Sequence, residues 1–274
     1  MALITLLTDF GLQDEFVGVM KGVIAGINPD ARIIDVCHDI EPQNVVHGAF
    51  ILAAAFKYFP AGTVHVAVVD PGVGSARRIL ALSCDGHLFV VPDNGLIERV
   101  VTTGEVSEVV SVEESRYRLD NVSNTFHGRD IFAPVAAHLA AGLRLAELGP
   151  SVDLRSMVGG IIPETRMPDT DTVEGEVVAI DRFGNLLTNI NLTVIERLAV
   201  QTADRPIVVE MGGKPIGSIA ASYGDVAREA PLAIIGSRGL LEVSVNCGDA
   251  RRTLDAAVGD PVRIRLSRVP ASQR

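Results

Sequence analysis

The stretch VHVAVVDPGVG, residues 64–74, decides the fold. Val64 to Val69 is a short apolar run that reads as a buried strand, and it ends abruptly at Asp70 and Pro71. Buried strands of this kind belong to sheets covered by helices, so strand and helix should alternate upstream. Leu3–Thr8 reads as a strand, Glu15–Ile27 as a helix closed near Asn28 and Pro29, Arg32–Cys37 as a strand, and Val45–Tyr58 as a helix closed by Pro60. The rhythm is βαβαβ. Downstream, Ile79–Ser83 and Leu88–Val91 predict a hairpin turning at Asp85 and Gly86, and Gly95–Thr102 and Ile131–Ala141 predict helices.

The second half has a different texture. Val173–Ile180, Leu186–Ile190, Ile207–Met211, Lys214–Ala220, Leu232–Ile235, Leu240–Val245 and Val262–Leu266 are short apolar runs divided by Gly, Asp, Asn or Pro, the pattern of an all-β barrel or sandwich. Between them and the first half, PETRMPDTDT (163–172) is polar and lacks periodicity. The expected organisation is an α/β domain with a mostly parallel sheet over 1–162, a linker over 163–172, and an all-β, barrel-like domain over 173–270.

Composition narrows the function. The 274 residues are 47% hydrophobic, enough for a sizeable core, and 4% aromatic with no Trp. A net charge of −10 argues against nucleic acid, whose binding depends on Lys and Arg neutralising phosphates. The longest apolar run, Ala49–Phe56, is too short to span a bilayer, and MALITLLTDFG lacks the basic start of a secretory signal. Cys37, Cys84 and Cys247 are far apart, which predicts buried thiols in a reducing, cytoplasmic setting rather than a disulfide framework or zinc site. No HxxxH or HExxH pattern occurs, so no metal is expected.

Open α/β sheets bind ligands beyond the carboxyl ends of their strands. Asp9 follows the first strand, His38 and Asp39 the second, and Asp70 the third. Any one of these is as readily a turn former or helix cap. In DPGVGSARR the Lys and Ser/Thr of a phosphate-binding loop are missing, and an Asp70–Arg77 salt bridge across a turn explains the residues as well as catalysis does. His127 in NTFHGRD precedes a predicted helix, where a side chain can project into a cleft. In the second half, AIDRFGNLLTNI groups Asp181, Phe183, Gly184, Asn185 and Asn189 around a hairpin, and GSRGLLEV places Ser237 and Arg238 in a turn and Glu242 in an apolar strand, where a charge commonly faces solvent.

Taken in order, TDFGLQDEFVGVMKG, VCHDI, VVDPGVGSARR, PDNGL, FHGRD, IDRFGNLLTNI and SRGLLEV resemble the adenosine-forming S-adenosyl-L-methionine hydrolases, once a domain of unknown function and related to the fluorinase and chlorinase enzymes. The likeness spans nearly the whole chain. It implies an N-terminal α/β domain and a C-terminal barrel-like domain, assembled as a homotrimer with active sites between the first domain of one subunit and the second of its neighbour. S-adenosyl-L-methionine would be the substrate, with no separate cofactor.

The same resemblance implies a water-positioning group of Asp70, Arg77 and His127, with Arg77 preferred to Arg78 by its spacing from Asp70. Halogenating relatives do not keep this set. Asp9 would accept the ribose hydroxyls and Asn185 would read adenine. Phe183 and Tyr223 would pack on the purine, and the backbone at Val245 would bond its edge. Asp181 would meet the methionine ammonium, and Ser237 with Arg238 its carboxylate; the role of Glu242 is left open. A sulfonium leaves as a neutral thioether, so in-line attack at C5′ requires an oriented water and no metal. Either Asp70 or His127 could take its proton. The competing expectations are a chlorinase-like halide transferase and a non-catalytic adenosine-binding module.

Overall fold

The structure, a computed structural model, describes residues 2–200 and 205–267, and divides into two compact units, Met1–Ile161 and Ile162–Arg274. Residues 268–270, the end of the expected second domain, lie outside the described residues.

The first unit is built on a six-stranded sheet of order β2-β1-β3-β5-β4-β6. Its strands are β1 (Leu3–Thr8), β2 (Arg32–Cys37), β3 (Val64–Val68), β4 (Ile79–Cys84), β5 (His87–Pro92) and β6 (Val106–Ser111). β2, β1, β3 and β5 run parallel, while β4 and β6 add antiparallel pairings. Helices α1 (Phe16–Ile27) and α4 (Ala133–Ala140) share a core with Ile4, Leu6, Val64, Val66 and Val68. The intervening residues of the same strands, Thr5 and His65, face the opposite way, with Phe56 and Phe89. Burial on both faces explains why these strands read as continuous apolar runs.

Several boundaries differ from the sequence reading for local reasons. The second helix, α2 (Val45–Ala55), is capped by Asn44, whose side chain accepts the His47 amide at 2.9 Å, and tightens into a 3₁₀ turn at Phe56–Tyr58. The Gly95 segment becomes helical later, as α3 (Glu98–Thr103). The last helix is preceded by a π-helical turn, Gly128–Phe132. The hairpin turns where expected, with Asp85 and Gly86 both at positive φ (50° and 76°), the backbone a type I′ turn demands. β6 went unread because its alternation is short and half exposed.

The second unit is a nearly closed, barrel-like sheet, almost entirely antiparallel, in the order β11-β10-β15-β8-β9-β14-β13-β12. Its members are β7 (Arg166–Asp169), β8 (Thr172–Ile180), β9 (Leu186–Asn191), β10 (Ile207–Met211), β11 (Lys214–Gly217), β12 (Ile219–Ala220), β13 (Pro231–Ile235), β14 (Leu240–Val245) and β15 (Pro261–Leu266). The segment expected to be a linker carries β7, which pairs with β8. Lys214–Ala220, read as one strand, is divided at Ser218, just after Gly217 at φ 129°, into β11 and β12. A helix, α5 (Leu192–Val200), interrupts the strands and buries Ile195 and Leu198 in the barrel core. Cys84 is buried as expected, whereas Cys247 is exposed in a turn after β14 and Cys37 is half-buried. Among the described residues no helix is long and apolar enough to cross a membrane.

His65 is a buried base inside the first sheet. Its Nδ1 lies 2.7 Å from the Thr5 hydroxyl and its Nε2 3.2 Å from His87 Nδ1. Burial, reinforced by His87, pushes its pKa down to about 3. The unfolded chain therefore binds a proton that the folded chain refuses between the ordinary histidine pKa near 6.5 and about 3. Stability is fully present above that window and lost as pH falls through it. Urea unfolding should show His65→Gln to be less stable than the parent at pH 7.5, with a pH slope shallower by up to ~1.4 kcal/mol per pH unit below pH 6.

Candidate functional site

In the first unit the chain passes from β1 to β2 on one side and then to β3 on the other. The β1/β3 junction is therefore the point where strand order reverses, the usual location of a ligand crevice in such sheets. Asp9 follows β1 and Asp70 follows β3, so the topology sets both at this point.

Asp70 is held from below and from the side. Asn94, in PDNGL, donates its side-chain amide to the Val69 carbonyl at 2.8 Å, fixing the strand end. The DPGVGSARR loop then turns back, and Arg77 Nε lies 2.8 Å from each Asp70 carboxylate oxygen while its Nη2 also bonds Oδ2. Both side chains are nearly buried, at 4% exposure for Asp70 and 9% for Arg77. Arg78 points elsewhere, to Asp93 at 2.8 Å and to Ser156.

His127 joins this pair through the same guanidinium. Arg77 Nη2 lies 3.0 Å from His127 Nδ1. A guanidinium can only donate, so Nδ1 must accept, and the proton of a neutral imidazole sits on Nε2. Burial first, and the Arg77 charge second, push the His127 pKa below its ordinary value, which keeps the ring neutral. Two loops far apart in sequence meet here because Gly74, at φ 76°, carries no side chain; a Cβ at that position would fall 2.3 Å from the Asn124 carbonyl oxygen. Gly128 likewise lets Phe126 pack against Phe10 and Phe16, with ring centroids 5.9 Å and 5.1 Å away. This aromatic cluster ties the Asp9 loop to the His127 loop.

Some neighbours were not singled out from sequence. Arg118 acts on His127 by charge, with its Nε buried and unpartnered, and lies outside the recognisable motifs. Asp130 is completely buried, paired with Arg129 and accepting the Ser123 amide; FHGRD contained it without revealing its partners. Asp9 is half-buried and its Oδ2 accepts the Gln43 amide at 2.7 Å.

The second unit carries the remaining candidates at the β8–β9 turn, in the β12–β13 connection, at the β13–β14 turn and along β14. Asp181 organises the first turn, accepting the amides of Phe183 and Asn185 on one oxygen and the Asn185 side-chain amide on the other, at 2.8–2.9 Å. One Asn185 amide hydrogen is thus already committed, leaving its carbonyl and second hydrogen. Phe183 stands 76% exposed and Tyr223 42%. Glu242 does not face solvent: it is 7% exposed, its carboxyl so close to Gly236 that a side chain there would collide with it. Burial raises its pKa, Arg238 opposes this and Asp181 reinforces it, so these charged groups share one neighbourhood. Burial and the Glu242 charge also raise the Tyr223 phenol. Arg238 keeps a buried Nη1 without a partner. Ser237 is exposed in the turn and Val245 is buried at the end of β14. Among the described residues no cluster of three or more His, Cys, Asp or Glu is arranged to hold a metal.

A helix-flanked sheet with a carboxylate–guanidinium–imidazole group at its switch point, followed by a barrel-like unit with polar and aromatic turns, defines a two-unit α/β plus β protein. The chain belongs to the SAM hydroxide adenosyltransferase family: residues 4–149 match its N-terminal domain and 175–263 its C-terminal domain. It is 40% identical to the (R)-S-adenosyl-L-methionine hydrolase of Salinispora tropica over 95% of this chain and 97% of that one. An uncharacterised conserved protein from Thermotoga maritima has a similar structure, with a TM-score of 0.87 and 39% identity over 96% of this chain and 99% of that one. A fluorinase from Actinopolyspora mzabensis is more distant, 26% identical over 97% of both chains.

Removing the Arg77 charge should raise the His127 pKa. Nitrogen-detected NMR of Arg77→Gln should show His127 titrating at higher pH than in the parent, where the ring is the neutral Nε2–H form; no change would mean that Arg77 does not set its state. Gly74→Ala should cost at least about 2 kcal/mol in denaturant unfolding, from its positive φ and the clash with the Asn124 carbonyl.

Proposed function

We propose that this protein hydrolyses S-adenosyl-L-methionine to adenosine and L-methionine. The observation that carries the reading is the convergence of Asp70 and His127, nearly dry, on the one guanidinium of Arg77 at the end of β3. The hydrolase named among its relatives supports the substrate.

Each group then has a task. The His127 Nε2–H donates to a water oxygen and orients it. With Nδ1 engaged by Arg77, His127 has no free lone pair, so the carboxylate of Asp70 receives the proton. The water oxygen bonds to C5′ as the C5′–S bond breaks, and its electron pair stays on sulfur. Methionine leaves as a neutral thioether and adenosine keeps the new 5′-hydroxyl, so the reaction releases one proton and calls on no metal.

The substrate contacts are proposed alongside. Asp9 accepts the ribose diol, Asn185 reads adenine with its remaining amide hydrogen and carbonyl, and Phe183 and Tyr223 offer exposed rings to the purine. The Val245 backbone bonds the purine edge. Asp181 meets the ammonium, Ser237 and Arg238 the carboxylate, and Glu242 sets the charge around them. The first domain, 1–162, supplies the water-positioning residues and the second, 173–270, the adenine and methionine contacts. In this reading they complete one another across subunits of a homotrimer, which sedimentation equilibrium would test, and the enzyme works in the cytoplasm.

Asp70→Ala and His127→Ala should fold, bind the substrate by calorimetry, and release adenosine about 10²- to 10⁴-fold more slowly by chromatography. Parent-like turnover in either would remove that residue from the mechanism. Incubation with chloride should yield no chlorinated nucleoside; its appearance would mark a halide transferase, to which the fluorinase likeness points. Tight adenosine binding with no methionine release over hours would mark a binding module instead.

A further inference from the structure

We infer that His38 is a positioning residue that aims the Asp9 carboxylate at the substrate ribose through Thr8 and the loop at the end of β1. The inference rests on the proposed hydrolase reading, in which Asp9 holds the ribose hydroxyls.

The carbonyl and ring of His38 grip both sides of Asp9. Its Nδ1 lies 2.8 Å from the Thr8 hydroxyl, and that hydroxyl also accepts the Phe10 amide at 3.2 Å. Its backbone carbonyl accepts the Gly11 amide at 2.8 Å. Asp9 therefore sits between two residues tied to the same histidine. A third restraint comes from the same segment, since the Gln43 amide binds Asp9 Oδ2 directly, from a backbone at φ 65° that a non-glycine residue rarely adopts.

β2 is an edge strand with mostly exposed or half-exposed residues, yet the His38 ring just beyond it is only 2% exposed and Thr8 is fully buried. The far side of the ring meets charge. His38 Nε2 lies 3.1 Å from Asp35 Oδ1, without the alignment of a hydrogen bond, and Lys21 Nζ is 2.6 Å from Asp35 Oδ2. Burial opposes ionisation of Asp35, but the bond from Lys21 and the nearby His38 ring outweigh it and lower its pKa. A carboxylate beside Nε2 favours the proton there, which leaves Nδ1 to accept from Thr8. Thr8 then has one orientation, with its hydroxyl proton towards His38 and a lone pair towards the Phe10 amide. The polarised chain runs from the exposed Lys21 to the Phe10 amide, in the peptide unit that follows Asp9.

The test compares S-adenosyl-L-methionine with its 2′,3′-dideoxy counterpart, which lacks both hydroxyls that Asp9 would bind. Thr8→Val and His38→Leu should lower kcat/KM for the parent substrate about 10- to 100-fold, the effect of misaiming a binding group from a distance. On the 2′,3′-dideoxy substrate the same variants should lose at most about 3-fold, a small fraction of that effect. Thr8→Ser should restore the parent preference, and Asp9→Ala should abolish it. Equal losses on both substrates would make the network merely structural and overturn the inference. If His38→Leu fails to fold, the nearly isosteric Thr8→Val decides. Should Asp9→Ala itself keep the parent preference, the ribose role of Asp9 falls and takes this inference with it. Should Asp9→Ala lose the preference while Thr8→Val keeps it, the inference alone falls.

Discussion

The Arg77 guanidinium is the interaction on which the site depends. It is one planar donor group that binds both oxygens of Asp70 and the Nδ1 of His127. A buried ion pair contributes little net stability compared with apolar packing, because both charges are stripped of water. Its value lies in specification: a donor-only partner fixes the imidazole tautomer, and a charge beside the ring keeps it neutral. The rest of the first unit can be understood as the scaffold that brings these three groups together and keeps water from loosening them.

That scaffold acts mainly through absence of side chains. Gly74 admits the Asn124 carbonyl and Gly128 admits the rings of Phe10 and Phe126, so loops after β3, after β1 and before α4 pack into one surface. The sheet topology supplies the remaining constraint. Reversal of strand order at β1 and β3 leaves a gap between connections that run to opposite sides, and Asp9 and Asp70 stand on its two rims. The second unit repeats the strategy with turns rather than helices. Asp181 commits most of its hydrogen-bonding capacity to its own hairpin, which stiffens the turn that presents Phe183 and Asn185.

The chemistry proposed for this family member suits such a frame. Displacing a thioether from a sulfonium needs no acid for the leaving group, so the protein has to orient one nucleophile and accept one proton. A rigid, nearly dry carboxylate and a neutral N–H donor are sufficient. The deeper network of Lys21, Asp35, His38 and Thr8 extends the same principle, with polarity running inward from the surface to orient a loop.

What the sequence determined by itself was the alternation of elements and the place of each candidate along them. Continuous apolar runs ending in Asp marked β1 and β3, Asp85-Gly86 marked a tight hairpin, and the change to short Gly- and Asn-divided runs marked the barrel-like half, because periodicity and turn chemistry are local properties. β6 and α5 escaped since short, half-exposed segments carry little pattern, and the strand within 163–172 exists through pairing with β8 rather than through its own composition. Tertiary structure alone decided that Arg78 faces Asp93, that Glu242 is buried, and that His127 is neutral with its proton on Nε2. Those outcomes depend on which atoms meet across folded loops and how much water they lose, and neither quantity is written in the order of residues.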